Sequence, residues 1–107
     1  MIRLGKRELA VFFSGKIRAT KEGDILLRIK PNSRNLKRFA FIVSGPKKSA
    51  AARNLTRRRP NEIIRDEIRE IPPGWDMVFS VRLSTKKAFS FAELKKDAKD
   101  VLHKAGF

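Results

Sequence analysis

The residues in this chain best suited to chemistry are cations. From Lys47 to Arg59 the sequence reads Lys-Lys-Ser-Ala-Ala-Ala-Arg-Asn-Leu-Thr-Arg-Arg-Arg, and six of these 13 positions are Lys or Arg. On a helix, at about 100° per residue, Arg53, Arg57, Asn54 and Arg58 fall within about 140° of one another. Ala51, Ala52 and Leu55 then point the other way, toward a core. Such a stripe offers guanidinium forks and one amide to a polyanion. No acid lies close enough in sequence to balance it, which distinguishes it from an ordinary solvated face. Arg34, Lys37 and Arg38, then Lys86 and Lys87, form two smaller basic clusters. Together with Lys47, Lys48 and Arg53–Arg59 they make a candidate belt of phosphate contacts, which would position a nucleic acid without reading its sequence.

Other chemistry is thinly represented. His103 is the single histidine, near the end of the last predicted helix, where a cation is favourable. No Ser-His-Asp arrangement can be argued from one such residue. Glu62, Asp66 and Glu70 repeat every four residues and would align on a helix. Such a row suits Mg²⁺, which takes oxygen ligands. Arg65 and Arg69 are interleaved with it, so surface ion pairs account for it equally well. There is no cysteine, which excludes disulfides and thiolate chemistry, and no Gly-rich phosphate loop. By its chemistry the chain binds more convincingly than it catalyses: no catalytic residue and no metal ligand are assigned.

The bulk numbers agree. A chain of 107 residues with 41% hydrophobic residues is expected to form one globular domain, residues 1–107. Its formal charge of +15 far exceeds what solubility requires, roughly 2–8 for a small domain, and points to nucleic acid before membrane. The longest apolar runs, Leu9–Phe13 and Phe39–Val43, are too short to span a bilayer. A cytoplasmic location is expected, with no membrane partner and no oligomer.

The elements that must position the cations read as follows. Arg3 to Phe13 is a short amphipathic helix, with Leu9, Phe12 and Phe13 at i, i+3, i+4 and Gly15 as its stop. Two adjacent phenylalanines cannot easily share one core, so one is expected to be partly exposed and free to stack on unpaired bases, as in single-stranded RNA. Lys16–Thr20 and Ile25–Lys30 form a hairpin around Glu22-Gly23-Asp24. Residues 31–35 are a loop. Arg38 to Ser44 is a strand apolar on both faces, hence central. The basic helix follows, with a kink or break at 59/60 because Pro60 removes a helical hydrogen bond. Helix resumes to about Glu70. Trp75 to Leu83 is a strand. Ser90 and Glu93 make a capping box for a last helix that buries Leu94, Ala98, Val101 and Leu102 and ends at Gly106. The order α-β-β-β-α-β-α predicts an α+β sandwich with helices packed on one mixed sheet.

These residues resemble one family, the protein subunit of bacterial ribonuclease P. Its signature has the form R-N-R-x-K-R-x-x-R-E, after a strand that ends in Val-Ser. Arg38–Ser44 looks like that strand. Arg53, Asn54, Arg58 and Glu62 match the signature, and Arg57 replaces its Lys. Pro73-Gly74-Trp75-Asp76 is similar to the family's Pro-x-x-Asp strand start, Phe89–Glu93 to the entry of its final helix, and Val11–Gly15 to its aromatic first helix. The departures are Leu55 and Asn61 in the place of arginines, Pro60 inside the helix, and Gly45-Pro46 where Lys-Lys usually follows Val-Ser.

The resemblance implies a mixed four-stranded sheet with a left-handed βαβ crossover, against the right-handed rule. It implies two partners, the catalytic ribonuclease P RNA and precursor tRNA with its 5′ leader. The activity is endonucleolytic removal of that leader to mature the tRNA 5′ end, with catalysis and Mg²⁺ residing in the RNA subunit. By position, Lys47, Lys48, Arg53, Asn54, Arg57, Arg58 and Arg59 would contact the RNA subunit. Phe12, Phe13 and Arg82 would line a leader-binding cleft, with the register at Phe12/Phe13 open by one residue. Two alternatives remain at this level: a ribosomal or other structural RNA-binding protein without a processing role, and a metal nuclease built on Glu62, Asp66 and Glu70.

Overall fold

A computed structural model describes residues 2–44, 58–82 and 90–107. The elements in chain order are β1 (Ile2–Arg3), α1 (Lys6–Phe13), β2 (Arg18–Glu22), β3 (Ile25–Pro31), β4 (Lys37–Ser44), α2 (Arg58–Glu67), β5 (Trp75–Arg82) and α3 (Phe91–Lys104). The strand order across the sheet is β1-β4-β5-β3-β2. β5 runs parallel to β4 and antiparallel to β3, so the four long strands make the expected mixed sheet. β1 adds a two-residue parallel edge beside β4.

Alternation along the strands sorts side chains onto two faces. Ile25, Leu27 and Ile29 of β3, Phe39 of β4, and Met77, Phe79 and Val81 of β5 share one face. Against it pack Ile64, Ile68 and Ile71 from α2 and the turns after it, and Leu94, Ala98, Val101 and Leu102 from α3. On the opposite face Ala40 and Val78 meet Phe12 of α1 and Leu4. The sheet is thus a middle layer, which explains why β4 is apolar on both sides.

Three boundaries differ from expectation. Ile2 and Arg3 are strand, not helix: Leu4 N–H donates to the Phe39 carbonyl at 2.7 Å, and Gly5 stands extended as the N-cap of α1. Pro60 lies within α2, and the chain is helical on both sides of 59/60. The helix ends at Glu67, three residues short of Glu70. The last helix follows expectation: the Ser90 hydroxyl accepts from Glu93 N–H, and the four predicted apolar residues are buried. In the β2–β3 turn Gly23 has φ +57°, and a Cβ there would come within 2.5 Å of the Asp97 carboxylate, so this position requires glycine. Leu83 and residues 45–57, which hold most of the predicted basic helix, lie outside the described residues.

Candidate nucleic-acid interface

α1 covers only part of its face of the sheet. Leu9, Ile17 and Ile42 gather around the Phe12 cluster, and Phe12 itself is 1% exposed. Its neighbour Phe13 is 46% exposed and Val11 67%. The two phenylalanines divide the labour because helical neighbours sit about 100° apart. They touch edge to face, with centroids 5.2 Å apart.

Beside α1 the sheet opens. Along β5 the residues on this face pass from Val78, fully buried, through half-buried Ser80 to exposed Arg82. The neighbouring rows pair Ile42 with Ser80 and Ser44 with Arg82 on β4, and Leu26 with Ser80 on β3. Arg28 of β3 lies under the helix: its guanidinium carbon is 5.5 Å from the Phe13 ring centroid, and it donates to the Ser80 hydroxyl at 3.3 Å. Lys30, two residues on, reaches the end of α1 and donates to the Val11 carbonyl at 3.3 Å. A cation at a helix C-terminus is favourable, so Arg28 and Lys30 both hold α1 in place. Gly15 leaves the room this needs, since a Cβ there would come within 2.5 Å of the Lys30 ammonium.

The charge on this face is strongly one-signed. Among the described residues of β2–β5, Asp76 is the one acid that the strand register places here. It is 5% exposed and already engaged. Arg38 grips it with two hydrogen bonds of 2.8 Å, and Asn32 donates to it at 2.9 Å. Burial pushes the Asp76 carboxyl up, but the hydrogen bonds from Arg38 and Asn32 and the charges of Arg38 and Lys30 together hold it below the usual carboxylate range. The Arg38 guanidinium is stabilised in turn, chiefly by its hydrogen bonds to Asp76.

Two cations of the predicted phosphate belt are therefore spent inside the protein. Arg38 is the partner of Asp76. Lys37 directs its ammonium at the end of α2 and donates to the carbonyls of Ile68, Arg69 and Ile71 at 2.7, 2.8 and 2.7 Å. Burial lowers the Lys37 pKa, and the Glu70 carboxylate opposes that shift. Arg34 remains exposed. Lys86 and Lys87 lie outside the described residues.

The other predicted residues fall as follows. Lys47, Lys48, Arg53, Asn54 and Arg57 lie outside the described residues, and Arg58 and Arg59 are the first two backbone positions of α2. Phe12 and Phe13 are both on α1, but Phe13 alone presents its ring to solvent, and Arg82 is exposed at the open end of the same sheet face. Glu62, Asp66 and Glu70 are exposed, and Asp66 is bound to Arg69 at 2.8 Å. Among the described residues no group of three or more His, Asp or Glu could hold a metal ion, and no helix is long and apolar enough to cross a membrane. His103 is exposed near the end of α3. Sequence reasoning missed Arg28 and Lys30 as parts of this face. Their signal was present: they are the polar half of an alternating strand, and both are cations.

Comparison with known proteins places this geometry. A family model described as ribonuclease P matches residues 4–106. The ribonuclease P protein component of Roseiflexus castenholzii is 37% identical over 84 residues, covering 78% of this chain and 69% of that protein. That of Chloroflexus aurantiacus is 32% identical over 81 residues, covering 76% and 60%. Among solved structures, the Staphylococcus aureus RNase P protein superposes with a TM-score of 0.73 at 16% identity, covering 97% of this chain and 94% of that one. The RNase P protein from Thermotoga maritima does so with a TM-score of 0.64 at 17% identity, covering 92% of each. At these identities the two structures speak for the fold, and the sequence relatives for the family. The chain belongs to the ribonuclease P protein family, the protein components of the ribonuclease P ribonucleoprotein endoribonuclease.

Proposed function

We propose that this protein joins two RNAs in one processing enzyme. Its 47–59 segment docks the ribonuclease P RNA, and the cleft beside α1 takes the 5′ leader of precursor tRNA. The observation that carries the cleft assignment is the exposed Phe13 ring over the Arg28 guanidinium, beside a sheet face that opens toward Arg82. An unpaired base offers a flat face to such a ring, and its phosphates suit the cations around it. A duplex keeps its base faces stacked inside, so a single-stranded leader is the better fit. Phe12 serves this site from beneath, by fixing α1 to the sheet.

For the RNA subunit the support is the match of Arg53, Asn54, Arg57 and Arg58 to the family signature, with Lys47, Lys48 and Arg59 extending the same charge. Membership of the family implies association with ribonuclease P RNA and a part in tRNA 5′ maturation. In this reading the RNA subunit, with Mg²⁺, cleaves the phosphodiester, and the protein supplies affinity and leader recognition.

Phe13→Ala tests the cleft. It should lower the preference of the holoenzyme for precursor over mature tRNA roughly tenfold, the scale of one lost base–aromatic stack. Affinity for the RNA subunit should not change. Equal loss of both affinities would sink the assignment.

A further inference from the structure

The face of the sheet that carries α2 and α3 is not covered at one corner. α3 ends at Lys104, and Gly106, at φ +101°, turns the chain so that Phe107 N–H donates to the Leu102 carbonyl. Phe107 comes to rest against Trp75, edge to face, with centroids 5.4 Å apart. Beside that pair the ends of β2, β3 and β5 border an open hollow of about 350 Å³ lined by Lys16, Ile17, Arg18, Ile29, Pro31 and Trp75. The register explains the grouping: Pro31 is paired with Trp75 and Ile29 with Arg18, in successive rows.

The lining combines a large aromatic ring, an apolar floor and two cations, with no acid among its residues. Ile29 is 2% exposed, so the floor is continuous with the core. Arg18 is anchored by one hydrogen bond to the Ala105 carbonyl, which fixes its guanidinium at the rim and leaves other N–H groups of the fork for a ligand. Lys16 is exposed. A flat apolar wall beside fixed positive charge is what a nucleotide needs: a surface for the base and donors for the phosphate. The volume lies in the range of small-ligand sites, roughly 300–1,000 Å³.

We infer that this corner is a second RNA contact, a pocket for one unpaired nucleotide, with the base against Trp75 and the phosphate held by Lys16 and Arg18. Trp75, Pro31, Ile29 and Arg18 lie on the sheet face opposite α1, and the hollow reaches round the edge to Ile17, which packs with the Phe12 cluster; Phe13 and Arg82 of the proposed leader cleft are not among its lining residues. A strand of RNA reaching it would pass the β2–β3 side of the molecule.

Trp75 is the single tryptophan of the chain, so its fluorescence reports on this corner alone. The intact protein is titrated with uridine 5′-monophosphate, with a single-stranded pentauridylate and with inorganic phosphate. Both uridine ligands should quench saturably, and phosphate alone should not. Lys16→Glu changes an exposed side chain and should weaken the quench by about fivefold, the effect of one exposed charge contact. Phe13→Ala should leave it unchanged. Absence of saturable quenching, equal quenching by phosphate, or equal affinity in Lys16→Glu would each overturn the inference. Loss of the quench in Phe13→Ala would assign the signal to the other face and do the same.

Discussion

Replacing Asp76 by Asn keeps the shape of the side chain and removes its charge. Arg38 would then sit largely buried beside a neutral partner, with side-chain exposure of only 15%. Breaking a buried pair from one side costs on the order of 3 kcal/mol, because the remaining charge has lost both water and partner. Asp76→Asn should therefore lower the urea midpoint with little change in slope. It should also change the acid limb. Asp76 is held below its ordinary value, so its contribution is present above the unfolded carboxylate pKa, about 3.9, and is lost as pH falls through the folded value. The parent protein should lose this increment of stability in that acid window, and the variant should show a shallower loss. A parallel acid limb in the two would contradict the pairing. The phenylalanines make a second contrast. Phe12→Ala empties a site that is 1% exposed and should cost about 3–5 kcal/mol. Phe13→Ala, from a half-exposed position, should cost far less stability and act on leader recognition instead. Thermal unfolding of the two variants side by side separates these roles.

Among the elements, α2 depends on a residue outside itself. The Lys37 ammonium crosses from β4 to hold three carbonyls at and just beyond the helix end, beside the Glu70 carboxylate. Lys37→Met should destabilise the protein by about 2 kcal/mol, since hydrogen bonds to charged groups are worth more than neutral ones. Amide hydrogen exchange should accelerate first at Ile68, Arg69 and Ile71. Uniform acceleration across the sheet would mean that the loss is not local. This contact also shows why part of the structure could not be read from sequence. Period-two alternation placed β3, β4 and β5 within a residue or so, and the Ser90–Glu93 box placed α3. β1 could not be found that way, because two residues carry no period and pair through their backbone with a strand over 30 residues away. Lys37 and Arg38 read as free cations for a similar reason: their partners lie 31–38 positions along the chain. The choice between Phe12 and Phe13 was hidden too. It is made by Ala40 and Val78, on two strands that meet under α1 only in the folded chain.

At the scale of the whole molecule, the protein is a cationic body whose two sheet faces differ. One carries α2 and α3 over the larger core, and the other carries α1, with Arg28 and Lys30 against it and Arg82 exposed at the open end. With a formal charge of +15, its binding to ribonuclease P RNA should weaken steeply with salt. For about 6–10 phosphate contacts the duplex scaling gives a loss of about 10³–10⁵ between 50 and 200 mM, less for single strands. An affinity independent of salt would contradict the electrostatic account. Arg53→Ala and Arg58→Ala should reduce both the affinity and the salt slope. The most direct measurement is reconstitution of the protein with a bacterial ribonuclease P RNA and a precursor tRNA at low Mg²⁺. The account predicts strong stimulation of 5′-leader removal by the mixture, and little cleavage by the protein alone. Robust cleavage without the RNA subunit, or no stimulation when it is present, would contradict it.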